Sequence, residues 1–67
     1  MRPVPFAELQ RLAVERGWVF HHAVGSHNVY RKAGAPAVSI PRHGPTVAPG
    51  TARNILRVLG VDPSKYR

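Results

Sequence analysis

The chain contains no cysteine among its 67 residues. That removes disulfides, thiolate metal ligands and a thiol nucleophile together. Acids are nearly as scarce, with Glu8, Glu15 and Asp62 the only three. Hydrolysis assisted by Mg²⁺ or Mn²⁺ needs several oxygen ligands gathered at one point, and three acids so widely separated do not readily supply them. A metal-dependent nuclease or phosphatase is therefore not expected, and no cofactor is. No apolar run approaches the ~18 residues of a membrane span. Met1-Arg2-Pro3 lacks the apolar core of a signal peptide. The expectation is a cytoplasmic protein with no membrane partner.

What is present in excess is positive charge. Ten lysines and arginines face the three acids, a formal net charge of +7. On so small a surface this points to a polyanionic partner, either nucleic acid or an acidic protein. Arginine enrichment without functional cause is the plain alternative. The length suits one domain over residues 1–67, burying about 60% of the surface its unfolded chain exposes.

Hydrophobic periodicity organises the rest. Phe6, Leu9, Leu12 and Ala13 recur at helical spacing, predicting a first helix over Val4 to Gly17, with Pro5 in its first turn and Gly17 as its stop. Trp18 to Ala23 changes to period 2 and reads as a strand. Gly25-Ser26 turns the chain into a second strand, His27 to Lys32. Ala33-Gly34-Ala35-Pro36 reverses it into a third, Ala37 to Pro41, with Val38 and Ile40 on one face. Arg42 to Ala48 reads as a loop. Ala52, Ile55, Leu56 and Leu59 form an apolar stripe, so a second helix runs from Pro49 or Gly50 to Leu59, ended by Gly60. Asp62-Pro63 can cap a last short turn through Tyr66. The expected fold is α+β, ordered α-β-β-β-α: a three-stranded antiparallel sheet with both helices on one face.

Four histidines are the candidates for chemistry. Adjacent His21 and His22 are expected on opposite faces of a strand, unable to serve one site, and the spacings offer no zinc motif. His27 differs because it opens a strand that ends in Arg31 and Lys32. RNA cleavage has an internal nucleophile, the neighbouring 2′-OH, so a protein need only move protons and stabilise phosphorane charge. A histidine with cations nearby meets that need. An imidazole that merely hydrogen-bonds within the turn is the competing reading, and the residues alone leave both open. Strict alternation puts His27, Val29 and Arg31 on one face and turns Tyr30 inward, unless a bulge near Ser26 re-aims the imidazole. Arg42 and His43 lie in a loop, where polar clusters are often functional. Arg53 and Arg57, one turn apart, hint at an anionic contact. Trp18 and Phe20 read as core rather than as base-stacking platforms.

Gly25-Ser26-His27 followed by Val29-Tyr30-Arg31 resembles the signature of the HicA toxins, also called the YcfA-like family. Ile40-Pro41-x-His43, Gly50-Thr51-x-Arg53-x-Ile55-Leu56 and the Gly17-Trp18-Val19 strand entry add to the likeness, which spans about Phe6 to Val61. The resemblance implies a double-stranded-RNA-binding-domain-like fold and an mRNA interferase, the toxin of a type II toxin–antitoxin pair. It implies a HicB antitoxin over the active face, and mRNA as substrate. The family's catalytic histidine maps onto His27, making the chain a metal-independent endoribonuclease. Ser26, Tyr30, Arg31 and Lys32 are then the expected RNA contacts on the hairpin. Arg42, His43, Arg53 and Arg57 are those beyond it. Two features depart from the family pattern: Asn28 replaces a frequent second histidine, and Thr46-Val47-Ala48-Pro49 replaces a loop that commonly carries lysines. A non-catalytic RNA-binding module of the double-stranded-RNA-binding type is the alternative. A basic partner of an acidic protein is a third reading.

Overall fold

Two amphipathic helices and a three-stranded meander carry the architecture. A computed structural model describes residues 1–66. The elements run β1 (Val4–Pro5), α1 (Phe6–Glu15), β2 (Val19–Val24), β3 (His27–Arg31), β4 (Val38–Pro41), β5 (Thr46–Val47) and α2 (Pro49–Leu59), closed by a 3-10 turn at Pro63–Tyr66. The main sheet has the order β2-β3-β4, antiparallel throughout. With its two helices this is the α-β-β-β-α order of a double-stranded-RNA-binding-domain-like fold.

The apolar stripes of both helices meet the inner face of the sheet. Phe6, Leu9, Leu12 and Ala13 of α1 and Ala52, Ile55, Leu56 and Leu59 of α2 are buried in one cluster with Tyr30, Val38 and Ile40. Burying such side chains is worth about 1.5–3 kcal/mol each, which is what holds so short a chain together. Trp18 joins this core, its indole N–H donating to the Pro36 carbonyl at 3.1 Å. Gly60 stops α2 in the left-handed conformation (φ 78°), which lets its N–H turn back onto the last carbonyls of the helix. Beyond it, the Asp62 carboxylate accepts the Ser64 N–H at 3.0 Å, and that bond holds Asp62 below its ordinary pKa. The Tyr66 hydroxyl donates to Glu8 at 3.1 Å, tying the closing turn to α1.

Four expectations need correction. The first helix begins at Phe6, because Val4 and Pro5 pair antiparallel with Val47 and Thr46 and the Phe6 N–H donates to the Pro45 carbonyl at 2.9 Å. Pro5 is thus the residue before the helix, its backbone extended at ψ 138°. For the same reason the segment before α2 is not all loop. Phe20 is not core: it lies on the helix side of the sheet, edge-on to Tyr30 at 5.8 Å, yet remains 51% exposed because β2 is an edge strand of which every residue is exposed. Finally, the bulge falls in β2 rather than near Ser26. Phe20 pairs with Tyr30 and His22 with Val29, leaving His21 as the extra residue.

Candidate active-site cleft

The outer sheet face is left uncovered by the helices, and His27 stands on it. Gly25 takes φ 57° at the first central position of the β2–β3 turn, a place where glycine is favoured. The hairpin closes on the Val24–His27 pair. Alternation from there is regular: His27 is exposed, Val29 half-buried beneath the same face, and Tyr30 fully buried on the other. His27 thus reaches solvent without a bulge of its own, at the cost of leaving Val29 only partly covered.

Three segments converge on its ring. From β4, the Ser39 Oγ lies 3.2 Å from His27 Nδ1, which fixes the ring and leaves Nε2 without a hydrogen bond among the described residues. From the loop after β4, the His43 ring stands nearly perpendicular to that of His27, centre to centre at 5.6 Å. Ser26 links the turn to this loop twice. Its Oγ sits 3.4 Å from His43 Nε2, and its carbonyl accepts the Arg42 N–H at 2.6 Å. The third segment is the start of α2. A cleft of about 340 Å³ runs from His27, Pro41 and His43 past Thr46 and Val47 to Ala48 and Thr51. Ala48, at the N-cap of α2, has no side chain able to cap the first turn, and no side-chain cap is made there among the described residues, so the positive dipole end stands open at this end of the cleft.

Not all of the expected cations gather here. Arg42 stands in the adjoining groove: its guanidinium lies over the Phe6 ring at 5.2 Å, in a space of about 520 Å³ that shares His43 with the cleft. Arg31 shares the outer face with His27 but sits four residues further along β3, roughly 13 Å away at strand rise. Lys32 lies beyond it, its ammonium 4.6 Å above the Trp18 ring. Arg53 and Arg57 line a separate cleft of about 500 Å³ with Met1, Asp62, Pro63 and Ser64. Tyr30 must be withdrawn as an RNA contact, because it is 0% exposed and its ring fills the core. Its hydroxyl finds no hydrogen-bond partner among the described residues.

Sequence reasoning passed over Ser39 and Thr51. Ser39 had a signal, being the one polar residue between two buried ones in β4. Thr51 had a weaker one, its place in the first turn of α2. The His21–His22 pair was also misplaced. The bulge brings both imidazoles to one side, with Nδ1 atoms 2.7 Å apart. Among the described residues no group of three or more histidine, aspartate or glutamate side chains converges.

Comparison with known proteins agrees with the fold. The family model described as HicA toxin of bacterial toxin–antitoxin matches residues 6–61. The match runs from the first residue of α1 through the residue after Gly60, so it takes in the hairpin, the cleft and both helices. No curated protein matches the chain. No helix among the described residues is long and apolar enough to cross a membrane. With the family model covering most of its length, the chain belongs to the HicA family, the toxins of bacterial toxin–antitoxin pairs.

Proposed function

We propose that the cleft cleaves RNA, with His27 as the catalytic proton-transfer group. The observation that carries this reading is the meeting of His27 and His43 at the mouth of a cleft that ends on an uncapped helix start. A phosphodiester laid along the cleft would place its anionic oxygens toward the open N–H groups of α2, with the Arg42 guanidinium in the adjoining groove. His27 Nε2 takes the proton of the 2′-OH as its oxygen attacks the adjacent phosphorus. The P–O5′ bond breaks, and the departing oxygen takes a proton from the second imidazole, His43. The products are a 2′,3′-cyclic phosphate and a free 5′-OH. The nucleophile belongs to the substrate, so the step asks the protein for proton transfer and charge stabilisation, without a metal ion.

A family of toxins from toxin–antitoxin pairs implies a cognate antitoxin. In this reading that partner is HicB-like and covers the cleft, the substrate is cytoplasmic mRNA, and unrestrained activity halts translation. The test is cleavage of RNA by the purified chain in excess chelator. His27→Ala should lower the rate by about 10²–10⁴-fold, the usual worth of a general acid–base group, and growth arrest on unpartnered expression should disappear with it. Undiminished cleavage by His27→Ala overturns the assignment. Salt-sensitive RNA binding with no turnover would instead make the chain a non-catalytic RNA-binding module.

A further inference from the structure

The His21–His22 pair lies outside the cleft and takes no part in the chemistry proposed there. We infer that it is a chelating site for one divalent transition-metal ion of tetragonal preference, Cu²⁺ or Ni²⁺. Regular alternation would send these neighbouring side chains to opposite faces. The bulge that leaves His21 without a partner in β3 abolishes that separation. The rings stand nearly perpendicular, 4.9 Å centre to centre, and their Nδ1 atoms converge to 2.7 Å. Both residues are exposed, so an incoming ion meets no steric barrier.

At that separation the two nitrogens share a single proton, one ring donating to the lone pair of the other. When the donating ring shifts its proton to Nε2, both Nδ1 lone pairs become available to a single metal ion. With metal–nitrogen bonds of about 2.0 Å, two ligands at a right angle stand about 2.8 Å apart, whereas tetrahedral ligands stand about 3.3 Å apart. The observed 2.7 Å is a hydrogen-bond contact, and small ring rotations turn both nitrogens onto one ion at nearly the right-angle spacing. The donor set also selects. Glu8, Glu15 and Asp62 all lie outside β2, so the strand offers imidazole without carboxylate. Such a site favours Cu²⁺ and Ni²⁺ over the oxygen-seeking Mg²⁺ and Ca²⁺. Water or an external ligand completes the coordination, as fits an open two-point chelate.

The experiment titrates the full chain with CuCl₂ alone, following binding by calorimetry and the copper spectrum by electron paramagnetic resonance. One ion per chain should bind saturably, with hyperfine structure from two equivalent nitrogens. His21→Ala and His22→Ala should each weaken binding about tenfold or more and reduce the nitrogen pattern to one. His27→Ala and His43→Ala should change neither, which separates this site from the cleft. Because both residues are exposed on an edge strand, the variants should retain the fold, as circular dichroism can verify. Absence of saturable binding, or binding that survives the His21→Ala/His22→Ala double variant, overturns the site. So does binding that follows His27 and His43 instead.

Discussion

Two pairs of histidines stand at similar separations, 4.9 and 5.6 Å between ring centres, and both pairs are nearly perpendicular. One pair is adjacent in the chain and sits on β2, an edge strand exposed along its whole length. The other joins residues 27 and 43, from a strand and a distant loop, and has walls. Around His27 and His43 stand Ser39, Ser26, Arg42 and the start of α2. Around His21 and His22 there is open solvent on a bulge. Proximity of imidazoles is thus common to both regions. What separates them is the surroundings, which in the cleft fix one nitrogen of each ring.

The sharpest way to break this contrast is to exchange the losses. His27→Ala should cost RNA cleavage about 10²–10⁴-fold, whereas the His21→Ala/His22→Ala double variant should leave it within about twofold. Equal losses measured on one RNA substrate would erase the distinction between the pairs. The supporting strands should differ almost as much. Tyr30→Ala in β3 empties the core and should cost about 3–5 kcal/mol, enough to unfold so small a domain. Phe20→Ala on the half-open edge should cost about 1 kcal/mol. Tyr30→Phe should be neutral or slightly stabilising, since the hydroxyl it removes is buried without a partner. Thermal melts of the three variants decide this.

A finer probe uses the cations. Arg42→Ala should weaken RNA binding, lower the salt slope by about 1 and slow cleavage at saturating RNA. Arg53→Ala/Arg57→Ala, at residues that line a separate cleft, should lower binding and slope but leave the saturated rate unchanged. The smallest effect belongs to a region that serves neither pair. Glu8 is held below its ordinary pKa chiefly by the Arg11 guanidinium, helped by the Tyr66 hydroxyl, while burial opposes them. A depressed carboxylate contributes stability above its ordinary pKa that is lost as pH falls through the lowered value. Melting temperature should therefore fall slightly more between pH 5 and pH 3 in the native chain than in Glu8→Gln, while cleavage at neutral pH is the same in both.

Much of this was legible in the residues. The stripes of α1 and α2, the inward Val38 and Ile40, the buried Trp18 and the stops at Gly17 and Gly60 follow from periodicity and backbone freedom, which are local properties. Strict alternation also placed Tyr30 inward, and trusting it would have removed Tyr30 from the RNA contacts. The rest was not local. Val4–Pro5 and Thr46–Val47 are too short to show a period, and they pair only because the core brings them together. Phe20 reads as core in any window, since its exposure depends on how far the helices extend over the sheet. His21 carries no signature of a bulge, so the meeting of His21 with His22 could not be foreseen. His27 and His43 converge through the link between Ser26 and Arg42, a contact across the fold.

The short pairing of β1 with β5 has a consequence for how the protein comes to life. Thr46 and Val47 form part of the wall facing His27, and they are anchored by residues at the other end of the chain. Thr51 lies further along still. His27 precedes in sequence the segment that walls it, so its enclosure waits until Thr46 and Val47 have paired with Val4 and Pro5. Such long-range closure is slow compared with helix and hairpin formation. In the proposed reading, a chain that has not made this pairing lacks the complete cleft.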